Sequence, residues 1–390
     1  MRHVGIIGGG QLGAFLCQAA RKLGDITTVL AGSKDDVAIP YADHVLIGDC
    51  GDQALIDQLA STVDVITFEF ENVPFESLKR LGGQVNAAVL PVPQTMLMLQ
   101  NKALQKHWLL QHGFPTAHFR VFNQGLDAGS AYAEFGDEFV IKTQRGGYDG
   151  LGVCVVRNGM IPQAYEEVPV IVEAFQPHMT ELAVLVARDQ TGRCAAYPVF
   201  ESEFDTRGNV LRHVMCPSPQ PDAIRDKAVQ LGIEVVRRLE GVGVFAVELF
   251  LRGNDMLINE ISPRVHNVGH LTMEASNVCQ FEQHIRAVTG RRVIPVTQTR
   301  PAVMANLLYE PSIDTAWQLE RLPSDSTSDS AADSAPEGSA PKNDQLAVHW
   351  YGKKQPRKLR KMGHITAVAD NLQLARQHCD AALQQLAETA

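Results

Sequence analysis

Apolar and polar positions fall into alternating blocks from the first residues onward. His3–Ile7 is an apolar run, Gln11 to about Leu23 repeats with helical period, and further apolar runs at Thr27–Leu30, Asp64–Phe68 and Ala88–Pro91 are separated by helical stretches. Strands alternating with helices predict a doubly wound parallel sheet, an α/β unit over residues 1–92. Pro91 and Pro93 mark its end, and a helical segment from Gln94 to Gln111, closed by Gly113 and Pro115, opens a second unit. From Phe139 the pattern becomes β-rich: Phe139–Thr143, Gly152–Val156, Val170–Phe175, Glu181–Arg188 and Cys194–Phe200, then a helix over Asp222–Leu239 and two more strands. That is an α+β arrangement and not a continuation of the first sheet.

Near the C-terminus the periodicity stops. The Ser/Asp-rich tract within 322–345 holds too few apolar residues to order itself and is expected to be a disordered insertion without a function of its own. A strand at Ala347–Tyr351, a basic turn, a strand at His364–Ala369 and a helix from Asn371 follow. The expected boundaries are 1–92, 93–175, 176–298 and 299–390.

Composition narrows the function classes. The chain has 390 residues, 45% of them hydrophobic, enough for several cores. No apolar run approaches the ~18 residues that span a bilayer, and the first residues pass directly into a strand, so a cytoplasmic protein without a membrane partner is expected. Seven cysteines lie scattered without a CxxC pair, which points to reduced thiols and to neither a disulfide framework nor a zinc site. The net charge of -9 argues against nucleic acid as a partner, so any basic cluster should serve a small anion.

Gly8, Gly10 and Gly13 fit GxGxxG between a strand and a helix, where backbone N–H groups attract a phosphate. The dinucleotide version needs an acid at the end of the second strand, but that strand ends Val29-Leu30-Ala31-Gly32-Ser33 with Asp35 and Asp36 arriving late, which argues against nicotinamide binding. More informative is Phe139-Val140-Ile141-Lys142 followed by Arg145-Gly146-Gly147-Tyr148-Asp149-Gly150-Leu151-Gly152. A strand lysine can reach nucleotide phosphates, and a glycine-rich loop can fold over them; a mobile hairpin tip is the plainer alternative.

Val170–Phe175 is an apolar strand containing Glu173, with Glu181 eight residues further on. The strand-end backbone can pair an adenine edge and Glu181 can accept from ribose hydroxyls, unless Glu181 is a solvated strand acid. Glu248 and Asn259-Glu260 fall on two neighbouring apolar strands, where carboxylates need a cation; Mg²⁺ carrying nucleotide phosphates is favoured over a salt-bridged core pair. Arg264-Val265-His266-Asn267-Val268-Gly269-His270 follows, a cation, two imidazoles and an amide on one turn, suited to bicarbonate and acyl-phosphate oxygens; a capping or packed turn histidine is the equal alternative for His266 or His270, and neither is read as a catalytic base. Lys353 to Lys361 is strongly basic in an acidic chain and reads as a compact phosphate site, with a solvated loop or a contact to RNA as the alternatives.

The order of strand lysine, glycine-rich loop, strand glutamate and paired Glu/Asn-Glu strands resembles the ATP-grasp superfamily. Gly10-Gln11-Leu12-Gly13, Thr67-Phe68-Glu69-Phe70-Glu71-Asn72-Val73-Pro74, Gly146–Gly150, the Asn259–His270 region and Lys361-Met362-Gly363-His364 look like the 5-(carboxyamino)imidazole ribonucleotide synthetases of purine biosynthesis. The resemblance covers nearly the whole chain apart from the Ser/Asp tract. It implies an ATP-grasp fold with an N-terminal parallel-sheet domain and a small C-terminal lobe. It also implies a homodimer that uses ATP with Mg²⁺, or Mn²⁺ in its place, to convert bicarbonate to carboxyphosphate and carboxylate the amine of 5-aminoimidazole ribonucleotide, releasing ADP and phosphate.

By the same resemblance, Lys102, Lys142, Gly147, Tyr148, Asp149, Gly150, Leu151, Gly152, Val153, Glu173, Ala174, Phe175, Gln176, Glu181, Asn259 and Glu260 bind ATP, with Glu248 and Glu260 on the metal. Gln11, Leu12, Glu71, Tyr148, Asp149, Arg264, His266, Asn267, Lys353, Arg357, Arg360 and Lys361 surround the ribonucleotide and bicarbonate. Asp149, Arg264, His266 and Asn267 stand at the reacting groups. The chain departs from the family pattern in three places. Lys102 stands where an arginine is usual, Ser202 and Phe204 stand where Asn and His are usual, and Arg357-Lys358-Leu359-Arg360-Lys361 lacks the usual Pro-Gly. Competing readings are a sister ATP-grasp ligase such as a formate-dependent glycinamide ribonucleotide transformylase, a biotin-carboxylase-like enzyme, a non-catalytic nucleotide-binding module and a dinucleotide oxidoreductase.

Overall fold

The structure is a computed structural model; it describes residues 1–83, 85–147, 152–157, 161–205, 210–309, 344–355 and 357–388. The first strands are β1 (His3–Ile7), β2 (Ile26–Ala31), β3 (His44–Ile47), β4 (Val65–Phe68) and β5 (Ala88–Val89). They form a parallel sheet in the order β3-β2-β1-β4-β5. β3 was not anticipated, because it is an edge strand whose residues are all exposed or half-buried and carry little apolar signal. The order reverses at β1, with β2 on one side and β4 on the other, so a crevice opens at the carboxyl ends of β1 and β4. Gly8–Gly10 and Glu69–Asn72 lie there.

The helix expected over 94–111 is two helices, Pro93–Leu99 and Lys102–Gln111. Asn101 breaks the run by capping the second one, its side chain accepting from the Leu104 N–H at 3.0 Å. Gln100 is drawn away to the first domain, its amide donating to the Glu71 carbonyl and, at 2.8 Å, to the Val73 carbonyl.

An antiparallel sheet then runs β6-β9-β7-β8, with β6 at Phe119–Phe122, β7 at Phe139–Thr143, β8 at Val153–Val156 and β9 at Val170–Ala174. Phe122, Phe139, Ile141 and Val172 bury one face of it beneath the helix Ala128–Phe135.

The largest sheet contains β10 (Thr180–Arg188), β11 (Cys194–Ala196), β12 (Phe200–Asp205), β13 (Val210–Cys216), β14 (Gly243–Arg252), β15 (Asp255–Ser262), β16 (Ala302–Leu308), β17 (Gln345–Trp350) and β18 (Lys361–Val368). Its order is β15-β14-β10-β12-β13-β16-β18-β17, with β11 paired to β10. The strand expected over Cys194–Phe200 is thus the end of a pair, β11 and the start of β12. Alternation along β10 feeds two cores. Leu182, Val184 and Val186 pack with Ile224, Ala228 and Val235 of the helix Asp222–Leu239, whereas Ala183, Leu185 and Ala187 join Phe281 and Ile285 of the helix Gln280–Val288 and Leu16 of the helix Gln11–Lys22.

The C-terminal region extends this sheet through β13 and β16, and the helix Leu372–Glu388 covers the added strands. Most of the Ser/Asp tract lies outside the described residues. Its C-terminal bound is shorter than expected, since Gln345 already pairs with Val368. Among the described residues no helix is long and apolar enough to cross a membrane.

Candidate active site

The three sheets enclose a cavity of about 850 Å³. The parallel sheet supplies Gln11, Leu12 and Glu71 to its wall, the small sheet Lys142, Gly147 and Ala174, and the large sheet Glu181, Glu248, Asn259 and Glu260. Arg264, His266 and Asn267 enter from the turn after β15, and Lys361 from the start of β18.

The acidic wall follows from strand register. Glu248 on β14 lies directly opposite Glu260 on β15, ahead of a bulge at Leu249. Burial works against the charge on Glu248. That penalty is outweighed by His266, whose Nε2 lies 3.2 Å from Oε1, by Lys142, and by Asn259, whose Nδ2 donates to Oε2 at 3.3 Å, so Glu248 is held below the usual carboxylate range. Glu260 goes the other way, pushed up by burial and then by the charge of Glu248. Burial and Glu248 also push Glu181 up to about 7. Three carboxylates therefore share a cavity with too little positive charge, which is the condition a divalent cation relieves. Among the described residues no three His, Cys, Asp or Glu side chains converge as a metal cage. A two-carboxylate wall suits Mg²⁺, which completes its shell with water and phosphate oxygens. Glu248 and Glu260 fit that role.

Lys142 faces these acids from β7. Its Nζ lies 3.0 Å from Glu173 Oε2 and donates to Asn259 Oδ1 at 2.8 Å. Burial disfavours its charge, but Glu173 and Glu260 more than compensate and keep it protonated. Lys102, at the start of its helix, donates to the Gly146 carbonyl at 3.2 Å and so ties that helix to the base of the glycine-rich loop. Gly147 and Gly152 both adopt positive φ, +83° and +74°, and a Cβ at Gly152 would come 2.6 Å from Thr143 Oγ1. Tyr148, Asp149, Gly150 and Leu151 lie outside the described residues. Val153, Phe175 and Gln176 line the cavity as expected, and so do Ser202 and Phe204, which places that departure from the family pattern at the wall.

Several sequence expectations change. The Glu173 carboxylate is 3% exposed and lies between Lys142 and Lys106, so its side chain serves the protein's own lysines, leaving the strand-end backbone for a ligand. The glycine loop does not hold an open phosphate cradle either. Glu69 fills it, accepting from the Gly10 N–H at 2.6 Å, and a Cβ on Gly10 would come 2.2 Å from Glu69 Oε1. Burial pushes the Glu69 carboxyl up while backbone N–H groups of Gly10, Gly13 and Leu12 pull it down. On balance its pKa is raised, and the helix N-terminus is satisfied by this internal carboxyl group.

On the far side, Arg264 forks onto Glu71, and Asn267 and Asn306 exchange amide hydrogen bonds at 2.9 and 3.2 Å. His270 is not at the cavity. It is fully buried and stacked on His364, ring centroids 4.6 Å apart, with burial driving both imidazoles neutral. Of the basic loop, Lys361 lines the cavity, and Lys353, Arg357 and Arg360 do not. Lys353 donates to the Lys361 carbonyl at 2.8 Å, Arg360 to the Gln355 carbonyl, and Arg357 is exposed. Lys106, Glu69 and Asn306 were missed. A lone lysine on a helix carries no signal of its burial, but the Phe-Glu-Phe-Glu run after β4 marks Glu69 as an acid in apolar company.

Comparison with known proteins follows the same division. The ribonucleotide synthetase preATP-grasp domain matches residues 1–100, the ATP-grasp domain residues 107–281, and the phosphoribosylaminoimidazole carboxylase C-terminal domain residues 302–378. The N5-carboxyaminoimidazole ribonucleotide synthase of Synechococcus elongatus is 33% identical over 94% of this chain and 89% of its own length. The chain belongs to the N5-carboxyaminoimidazole ribonucleotide synthase family. That makes it an ATP-grasp ligase. The Bacillus subtilis synthase is 32% identical over 93% of the chain and 90% of its own length. The phosphoribosylaminoimidazole carboxylase of Saccharomyces cerevisiae is matched over 64% of its length. Among solved structures, the Aspergillus clavatus synthase in complex with ADP and 5-aminoimidazole ribonucleotide superposes with a TM-score of 0.84 at 29% identity, covering 99% of this chain and 98% of that one. The Thermotoga maritima synthetase gives 0.81 at 32% identity, covering 98% of each.

Proposed function

We propose that the chain uses ATP to carboxylate 5-aminoimidazole ribonucleotide with bicarbonate, giving N5-carboxyaminoimidazole ribonucleotide, ADP and phosphate in purine biosynthesis. The observation that carries this reading is the single cavity in which the Lys142 and Glu248–Glu260 wall faces the Arg264–Asn267 turn. A bicarbonate oxygen attacks the γ-phosphorus of ATP, ADP leaves, and the carboxyphosphate so formed is attacked at carbon by the amine, with loss of phosphate. Such an intermediate hydrolyses quickly in bulk water, so donor and acceptor must share one enclosed space.

In this scheme Lys142 neutralises nucleotide phosphate oxygens, Glu181 accepts from the ribose, and the strand end Glu173–Gln176 meets the adenine edge. Glu248 and Glu260 would hold Mg²⁺, which when bound would supply positive charge at the transferring phosphoryl group. Arg264, held by Glu71, orients carboxylate oxygens, and His266 and Asn267 flank it. Lys361 takes the substrate phosphate, and Lys353, Arg357 and Arg360 of the same basic loop are assigned to it on the family resemblance. Asp149 belongs to the same reading at the acceptor amine. Assembly as a homodimer and a cytoplasmic location are proposed on the family resemblance.

The test is ADP release with Mg·ATP and bicarbonate, with and without 5-aminoimidazole ribonucleotide, and with glycinamide ribonucleotide plus formate in parallel. Release dependent on the aminoimidazole supports the proposal. Release only with the glycinamide pair would replace it with the sister ligase, and none at all with a binding module.

A further inference from the structure

We propose that Lys106 is a positioning residue for nucleotide binding: it neutralises Glu173 from behind the sheet and thereby leaves the charge of Lys142 available to phosphate. The inference rests on the reading of Lys142 as the phosphate-binding lysine. Lys106 lies one helical turn after Lys102, but its side chain is 3% exposed and is not part of the cavity wall. It therefore acts on a ligand only through another residue.

Its surroundings show which one. Lys106 Nζ lies 3.3 Å from Glu173 Oε1, and Lys142 Nζ lies 3.0 Å from Glu173 Oε2. One buried carboxylate is thus shared by two ammonium groups, one facing the cavity and one turned away from it. Lys106 Nζ also donates a hydrogen bond to Thr116 Oγ1 at 2.7 Å, and that hydroxyl donates to the Ile258 carbonyl at 2.8 Å. Lys106 is pinned at both ends of its ammonium, to β9 through Glu173 and to β15 through Thr116.

Charge counting gives the reason to keep a costly buried lysine there. Without Lys106, Glu173 and Lys142 close into a neutral pair, and drawing Lys142 toward a phosphate would strand a buried carboxylate. Burial brings the Lys106 ammonium down to about 8 against the pull of Glu173, which leaves it mostly protonated at pH 7; the group of three then carries close to one net positive charge, and the only ammonium of the three at the cavity wall is that of Lys142. An apolar side chain of similar length would fill the same space at lower desolvation cost. Packing alone therefore does not account for a cation at this position.

The test compares the full-length wild type with Lys106→Met, Lys106→Arg, Lys142→Met and the double variant Lys106→Met/Glu173→Gln, measuring Mg·ATP and adenosine affinity by calorimetry. Lys106→Met should weaken ATP about 10- to 100-fold and adenosine by no more than about twofold, and Lys106→Arg should stay within about threefold of wild type. Adding Glu173→Gln should restore about tenfold or more of the loss, because it removes the charge that Lys106 answers. The inference is overturned if Lys106→Met binds ATP like wild type, loses ATP and adenosine in equal proportion, or is not rescued by Glu173→Gln. If Lys142→Met also binds ATP like wild type, the phosphate-lysine reading falls with it; if Lys142→Met is impaired and Lys106→Met is not, the inference alone falls. Should Lys106→Met fail to fold, Lys106→Gln, uncharged but able to bond Thr116, takes its place with the same expected outcomes.

Discussion

Glu71 and Arg264, 193 residues apart in sequence, meet as a forked ion pair between the parallel sheet and the turn after β15, with Arg264 Nη2 donating to Glu71 Oε1 at 3.2 Å. Burial pushes the Glu71 carboxyl up, and the guanidinium overrides it, bringing it down to about 2. The pair stays charged at any working pH, so the arginine fork is held in one orientation. Arg264→Lys keeps the charge and loses the fork. Turnover should fall about 10²- to 10³-fold while ATP affinity is unchanged. Steady-state kinetics beside nucleotide titration checks this, and an equal loss in both would move Arg264 to the nucleotide pocket.

Glu260 is a poorly compensated acid, raised by burial and by Glu248 opposite. Glu260→Gln removes half of the proposed cation-binding wall and should lower turnover about 10³-fold or more. ATP affinity in the variant should no longer respond to Mg²⁺. Wild-type ATP hydrolysis in Glu260→Gln would remove this residue from the metal assignment.

His284 ties the parallel sheet to the large one. Its Nδ1 accepts from the Val244 N–H at 3.0 Å, and Nε2 lies 2.7 Å from Thr67 Oγ1. Burial brings its pKa down to about 4, so the folded state keeps it neutral while an unfolded chain protonates it at about 6.5. The unfolded state binds more protons between those values. The stability contributed by His284 is full above about 6.5 and declines as pH falls toward about 4, by about 2 kcal/mol between pH 7 and pH 5, on top of the same-signed linkage of the buried His270 and His364. Urea unfolding at both pH values measures the slope, which should shrink by about one proton in His284→Gln. An unchanged slope would assign the linkage to another group.

The Ser/Asp tract should be dispensable. β16 ends beside Lys361 and β17 begins beside Val368, at opposite ends of β18, a span of about 25 Å. Residues 309–323 and 342–344 suffice to bridge it after deletion of 324–341. The deletion variant should keep wild-type turnover, and a large loss would give the tract a role in the reaction.

What the sequence made legible is what local pattern encodes. The helix Asp222–Leu239 and the strand Phe139–Thr143 are where the hydrophobic period puts them, and Glu248 and Glu260 meet because register places strand residues face to face, with Lys142 reaching their strand from the neighbouring sheet through Asn259. What it hid depends on distant partners. Asn101 reads as an interior helix residue until its capping bond to Leu104 is known. Lys106 reads as a surface lysine until Glu173, which is remote in sequence, comes to meet it. The glycine fingerprint pointed to an external phosphate because nothing local reveals that Glu69 fills the loop.

The continuous ladder from β15 to β17 has a mechanical consequence. The wall carrying Glu248 and Glu260 and the hairpin carrying Lys361 belong to one hydrogen-bonded frame, and shearing one against the other would break the β13–β16 pairing. The sheet bearing Lys142 shares no ladder with that frame and touches it through side chains such as Asn259. The lysine proposed for the nucleotide phosphates therefore stands on one body and the acids it faces on another, so the gap between them is set by a few contacts, Asn259 on Lys142 and the Thr116–Ile258 bridge among them, and not by a shared ladder.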